Sequence, residues 1–585
     1  MALPYAVFAL LTLLSWQRWI QPYIDTGREL MVPWRLAHGE RLYRDVHFHH
    51  GPLGPYLAAI TDGLAGRSLP ARTALYALVA LLHVAALERL ARAMLSPWRA
   101  ALATSTAIAA AVFLWPGGWL FPFSFDTALA VAALTWALAL AAEPGSARAD
   151  VAAGICLLAA LLSRPEIGLS GVIILAAAAR RSPRRLVALG AAPLAASAAG
   201  YALLSTGIPR DRLVADGWMR VIEPPEAFQN VYRAYAGLDR IGLRTAELLL
   251  AGMVLVLVGA LLAAASWIGS RLEARGRRAP GAAVGTLAIG ALVFAAAVRL
   301  RPPAALAERL SLVPPLVRVI PVWLAIAAGL RLFCVLRGRA PRGPLSGVPE
   351  AVLWMAAVFG ARMLLAAGYV GPYDAFFLPL PVVVAAAGLF GAADRAAPAL
   401  GAMLPRLAAA ALAVFLAFRL ASMADLYRGL PWEPVATPAG ALRLPGPVAG
   451  ATAETLAALG RLPAGATLSG FPEAGFFNYV LGLRNPFWLE QFFPGHLDAQ
   501  GEARAVRLLE TDPPDALVLA NVLAVGEGAR AFGQDYLGGL AHAAGARYRP
   551  TAAFGPGASP GARIGDARFF VEISTPVTPR TQAGP

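Results

Sequence analysis

Residues 22–57, PYIDTGRELMVPWRLAHGERLYRDVHFHHGPLGPYL, decide how the rest of the chain is read. The stretch lies between two strongly apolar segments, yet it carries Asp25, Arg28, Glu29, Arg35, Glu40, Arg41, Arg44 and Asp45, followed by His47, His49 and His50. Hydrocarbon does not tolerate charge of this density. The stretch is therefore expected to be a long extramembrane loop, held to the bilayer surface by Trp34, Tyr43, Phe48, Leu53 and Tyr56. Asp25 then stands where the first membrane helix ends, a natural place for a lipid head group to react with something in water.

Composition agrees. Of 585 residues, 58% are hydrophobic and 15% charged, with a mean hydropathy of +0.60, outside the usual soluble range. The net charge of +15 is carried by arginines in short loops between apolar runs, a topology signal and not a nucleic-acid footprint. Cys156 and Cys334 sit far apart inside apolar runs, so neither a disulfide nor a cysteine metal site is indicated.

Apolar runs at 5–20, 71–94, 100–115, 127–142, 151–162, 167–179, 186–205, 245–268, 282–298, 319–336, 351–367, 376–390 and 407–423 give about thirteen helices, some short of the ~20 residues of a full span. Residues 55–64 read as a surface helix. The first run has no basic leader or small-residue cleavage site and is expected to stay as an anchor. With the N-terminus in the cytoplasm, the clusters Arg89/Arg92/Arg99, Arg180/Arg181/Arg184/Arg185 and Arg271/Arg275/Arg277/Arg278 fall inside. The loops 21–70 and 206–244 and the end of the chain then lie outside. The fold class is thus an α-helical polytopic membrane region, 1–424, a Pro-rich linker, 425–448, and a soluble α/β domain, 449–585. In that last part helices near 453–460, 474–481, 502–509 and 536–544 alternate with strands near 466–471, 515–520, 547–553 and 568–574.

The runs 151–162 and 167–179 are half-spans meeting at Ser163-Arg164-Pro165-Glu166, the pattern of irregular backbone lining a cavity. Arg164 suits a phosphate because its fork binds two oxygens and stays charged; a snorkelling interfacial arginine is the alternative.

Asp25 with the following GRE, GERLYRDV and GPLGPYLAAI resembles the first external loop of the GT-C superfamily of integral-membrane glycosyltransferases, the group that includes protein O-mannosyltransferases and aminoarabinose-to-lipid-A transferases. The resemblance implies a bacterial inner-membrane enzyme. It moves a sugar from a polyprenyl-phosphate donor to a lipid, glycan or protein acceptor on the periplasmic face, by inversion, with Asp25 as general base. The superfamily usually has a second acid beside that Asp or in the next loop; here Thr26 follows, so Asp126 in FPFSFDTALA is the partner, or a helix N-cap. Arg164 and Arg362 are the implied donor-phosphate ligands, and Arg28, Glu29, His50, Glu166 and Tyr373 the substrate-binding set. Intramembrane Arg362, with Tyr373 and Asp374, is equally a candidate for pairing inside the bundle. A divalent metal on Asp25 and His50 is one reading of the histidine run; interfacial or substrate-contacting histidines are the other, since HxHH sends His50 to the opposite side from His47 and His49. FPEAGFFNYVLGLRNPF in the tail resembles external tails of bacterial relatives; Asn478, Arg484 and Asn485 there are either sugar contacts or turn-fixing groups. A transporter or flippase, or a non-catalytic partner of the same fold in envelope assembly, are the competing classes.

Overall fold

The computed structural model describes residues 2–113, 118–121, 123–143, 146–224, 313–337, 345–364, 373–400, 403–522, 531–556, 558–560 and 571–577, with isolated positions between 229 and 271. The expected spans at 245–268 and 282–298, and most of the loop 206–244 beyond residue 224, lie outside the described residues.

Helix α1, Leu3–Ser15, ends where Trp16 turns extended. It is followed by α2, Thr26–Ala37, α3, Leu53–Ala65, α4, Leu69–Met94, and α5, Pro97–Ala107, which continues into a π-helical turn at Ile108–Val112. Next come α6, Phe125–Ala141, α7, Ala147–Ser163, α8, Pro165–Ala178, α9, Pro183–Leu186, α10, Ala192–Leu204, and α11, Arg210–Asp216. Later helices are α12, Val313–Leu336, α13, Glu350–Leu364, α14, Tyr373–Phe377, α15, Pro379–Leu400, and α16, Met403–Gly429. Local chemistry sets several starts: the Ser68 hydroxyl accepts the Ala71 N–H at 3.3 Å and Ser146 that of Ala149 at 3.2 Å.

Among the described residues three helices, Leu69–Met94, Pro183–Leu204 and Leu404–Gly429, are long and apolar enough to cross a membrane; Leu3–Ser15, Phe125–Ala141 and Pro165–Ala178 are apolar but shorter. About thirteen were expected. The shortening has visible causes: α5 passes into the π turn at 108–112, and the run 151–179 breaks at Arg164, which adopts an extended backbone (φ −140°, ψ 98°) before Pro165. Large apolar side chains such as Leu13 of α1, Leu64 of α3, Ile155 of α7 and Leu203 of α10 are exposed on these helices.

The segment 425–448, expected as a linker, instead holds the end of α16 and an antiparallel hairpin, β1, Trp432–Val435, with β2, Leu442–Pro445. Then come α17, Gly446–Leu459, β3, Leu468–Phe471, α18, Gly475–Leu481, α19, Ala499–Thr511, β4, Ala516–Ala520, α20, Gly538–Arg547, β5, Tyr548–Phe554, and β6, Val571–Pro576. One sheet has the order β3-β4-β6-β5, with β3 and β4 parallel and the other pairs antiparallel.

This part is sewn to the front of the chain. One apolar core runs from Leu11, Trp19 and Tyr23 through Val84 and Phe125 to Phe476, Phe477 and Val480. The Trp19 N–H donates to the Arg443 carbonyl at 3.0 Å and that of His47 to the Trp488 carbonyl at 2.7 Å. The expectation of a loop lying on the bilayer through its aromatics is corrected here: Tyr43 and Phe48 are buried against Val32, Leu36 and Leu213, away from lipid. Hydrophobic burial of α2 comes from protein, not membrane.

Candidate active site

The first turn of α2 is where the two halves of the chain meet. Asp25 holds a left-handed backbone (φ 63°), and its side chain makes no capping bond to its own helix. The free amides of that turn are capped from far away: Glu473 accepts the Asp25 N–H at 2.6 Å and the Arg28 N–H at 3.1 Å. Gln491 donates to Asp25 Oδ1 at 2.8 Å and to Glu473 Oε2 at 2.9 Å, and accepts from Arg28 Nη1 at 2.9 Å. Arg28 Nη2 lies 3.4 Å from Asp25 Oδ1. Two glycines permit the approach, since a Cβ on Gly27 would come within 2.8 Å of both Glu473 Oε1 and the Gly475 Cα. Asp25 keeps part of its surface open, with 22% side-chain exposure, whereas Glu473 is fully buried.

From Arg28 the polar chain continues inward. Arg28 Nη2 donates to Glu29 Oε1 at 3.1 Å, and Glu29 Oε2 accepts the Phe125 N–H at 3.1 Å, capping α6. Asp126 in that first turn accepts from Ser124 Oγ at 3.3 Å and faces Arg164 Nη1 at 3.3 Å. Arg164 packs on both ring nitrogens of His50, one at 2.6 Å, and its Nε is 3.0 Å from Glu166 Oε1. Behind it, Tyr43 donates to the His50 carbonyl at 2.7 Å, and the Gly51 N–H to the Ser163 carbonyl at 2.9 Å. A small cleft, about 220 Å³ of empty space partly open to solvent, is lined by Arg28, Glu29, Phe48, Pro55, Phe125 and Asp126.

Burial dominates the acid–base properties. It pushes Glu473 up to about 8, with the Asp25 carboxylate adding to the rise, and raises Glu29 despite Arg28 beside it. It also holds His49 and His50 neutral, well below the usual imidazole range, helped by His50 and Arg28 in the first case and by Arg164 and Arg28 in the second. In a second polar group beside the site, His47 Nδ1 is 3.4 Å from Asp216 Oδ1, and Asp216 also takes Trp488 Nε1 at 2.9 Å and Arg504 Nη1 at 3.1 Å. Asp216 is lowered to about 2: the bonds from His47 and Trp488 outweigh its burial.

Asp25, Arg28, Glu29, His50, Asp126, Arg164 and Glu166 thus form one connected network. Asp126 is not the N-cap; Ser124 occupies that position. Arg362 and Tyr373 lie on α13 and α14, with side chains outside the described residues. A metal on Asp25 and His50 does not fit: the Arg164 guanidinium covers the His50 ring and repels a cation. Among the described residues no group of three or more His, Cys, Asp or Glu is arranged to hold a metal ion. Asn478 fixes a turn through the Leu468 and Leu483 carbonyls, Asn485 bonds Ser469 and Glu490, and Arg484 pairs with Asp512 on the surface. Glu473 and Gln491 were missed by sequence reasoning. Their one signal was an acid beside a proline, FPEAGFF, inside an otherwise apolar run.

No family model matches the chain, and no curated protein matches it. Among solved structures it is similar to ArnT from Cupriavidus metallidurans bound to undecaprenyl phosphate, at 16% identity over 100% of this chain and 99% of that one, TM-score 0.44. It is also similar to the Archaeoglobus fulgidus oligosaccharyltransferase in complex with Zn and sulfate, at 14% identity over 96% and 73%, TM-score 0.47. The archaeal oligosaccharyltransferase AglB from Archaeoglobus fulgidus, in complex with an inhibitory peptide and a dolichol-phosphate, matches at 13% identity over 96% and 74%, TM-score 0.43.

Proposed function

We propose that the chain is a GT-C-type glycosyltransferase of a bacterial inner membrane, taking its sugar from a polyprenyl-phosphate donor. Its N-terminus lies in the cytoplasm, and the Asp25 site and the end of the chain lie outside. The observation that carries the reading is the charged network at the mouths of α2, α6 and α8, with a part-exposed carboxylate at one end and a buried arginine at the other. Asp25 takes the proton from an acceptor hydroxyl as its oxygen bonds the anomeric carbon. The bond from that carbon to the phosphate oxygen breaks, and polyprenyl phosphate leaves with the electron pair. General-base help of this kind contributes about 10²- to 10⁴-fold. Arg164 is the group suited to the phosphate, because a guanidinium stays charged in a low dielectric and binds oxygens in pairs; Asp126 holds it in place. The configuration inverts in a single displacement. The acceptor is a lipid, glycan or protein.

The test is transfer of radiolabelled sugar from membrane polyprenyl-phosphate donors to endogenous acceptors by the full chain and by Asp25→Asn at equal expression. Loss in the variant alone supports the reading. Equal transfer in both moves the base to Asp126. Transfer no higher than in a strain without the protein sinks the transferase reading in favour of a flippase or a non-catalytic partner.

A further inference from the structure

Four hydrogen bonds tie the Asp25 turn, at Asp25 and Arg28, to residues more than four hundred positions later, and they come from two adjoining strips of the tail. Glu473 follows β3 and faces the start of α2, taking two backbone N–H groups of that turn, from Asp25 and Arg28. Gln491 lies beside it and touches three members of the cluster at once: the Asp25 carboxylate, the Glu473 carboxylate and the Arg28 guanidinium. Both side chains are at most 2% exposed, so their bonds are not shared with bulk water. The left-handed backbone of Asp25 is uncommon for a residue with a side chain and is held only where surroundings fix it. The surroundings here are the Glu473 carboxylate on its amide and the Gln491 amide on its carboxylate. The Gly27 and Gly475 backbones, within van der Waals contact, leave no room for the turn to slide.

We propose that Glu473 and Gln491 are positioning residues for Asp25: Glu473 fixes the backbone from which the carboxylate projects, and Gln491 fixes the carboxylate's rotamer and keeps Arg28 alongside it. The end of the chain is then part of the reaction centre and not an appended module. The inference rests on the reading of Asp25 as the base. A carboxylate free to rotate loses its in-line relation to an acceptor hydroxyl, and a misplacement of about 1 Å costs on the order of 10²-fold in rate. Substrate binding does not depend on that rotamer, so the loss falls on kcat. The buried Glu473 favours holding its proton near neutrality, which spares the site a second full negative charge beside Asp25.

The experiment uses the full chain in detergent or nanodiscs, with a lipid extract containing polyprenyl-phosphate sugars as the probe. Gln491→Met removes the donor to Asp25, and Gln491→Glu removes the same donor while keeping the volume and the acceptor for Arg28. Both are expected to lower kcat per folded molecule by ~10²-fold with the donor KM unchanged. In parallel, hydrogen exchange at the Asp25 and Arg28 amides is read in wild type and in Glu473→Gln, where it should be faster at those two positions. Wild-type kcat in both Gln491 variants, or unchanged exchange in Glu473→Gln, overturns the proposal. Full transfer by Asp25→Asn would instead overturn the assignment of the base. The exchange measurement, which needs no activity, would still decide whether Glu473 holds the turn.

Discussion

Arg164 Nη1 stands 3.3 Å from Asp126 Oδ2, with both side chains almost wholly buried. Two opposite charges brought together from α6 and the α7–α8 break are held in a low dielectric, where removing one leaves the other uncompensated. Arg164→Met should therefore destabilise the protein by about 3–5 kcal/mol. Arg164→Lys, which keeps the charge without the fork, should cost less. Denaturant unfolding of the purified chain in detergent measures both; equal stability of Arg164→Met and wild type would remove the pair from the structure's supports.

Gly51→Ala should be damaging out of proportion to one methyl group. A Cβ there would stand 2.2 Å from the Leu162 carbonyl oxygen, and backbone cannot move aside as a side-chain tip does. A loss of roughly 1–3 kcal/mol is expected, with transfer lost as His50 is pushed off Arg164. Gly63→Ala on the exposed face of α3, where nothing lies within 4 Å, is the control and should gain about 0.5–1 kcal/mol from helix propensity.

Tyr479→Phe tests the seam between the tail and the first helices without touching the site. The hydroxyl donates to Asp62 Oδ1 at 3.1 Å and accepts the Ser68 N–H at 3.0 Å, next to the buried Arg72 and Asp62 pair. Its loss should cost about 1–3 kcal/mol in thermal or denaturant unfolding while leaving transfer per folded molecule unchanged.

Two sets of buried groups pull the pH dependence of stability in opposite directions. His47, His49, His50 and His496 are depressed from 6.5, first by burial, so the unfolded chain gains protons that the fold refuses, and stability falls as pH drops below 6.5. Glu29 and Glu473 are raised from 4.5, to about 7 and about 8, again first by burial. Their contribution is complete below 4.5 and is lost as pH rises to those values. Burial raises Asp126 and Glu490 as well, so they act in the same direction as Glu29 and Glu473. Unfolding midpoints across pH 5 to 8.5 check the shape, and Glu473→Gln should flatten the alkaline side.

Much of this was legible in the amino-acid sequence where the signal is local. The break at Arg164-Pro165 follows from proline's effect on the residue before it, and the alternation after residue 449 anticipated β3, α18, β4 and β5 to within a few residues. The hairpin β1/β2 was hidden because prolines at 434 and 445 read as a linker, although both positions sit at strand ends or edges where a missing N–H does little harm. The loop's aromatics carry no mark saying whether lipid or protein will bury them; Tyr43 and Phe48 met protein. Glu473 and Gln491 could not be assigned from spacing, since nothing nearby in the chain tells a buried acid that its partners are the amides of Asp25 and Arg28.

The Glu473 cap on Asp25 spans 448 positions, and that distance has a meaning in time. At about 5–20 residues per second, roughly 20 to 90 s pass on the ribosome between the synthesis of Asp25 and that of its cap. Through that interval the first turn of α2 stays without the cap that Glu473 supplies. A nascent chain cut short before residue 473 lacks this cap, so the turn that carries Asp25 is completed only once the tail has been made.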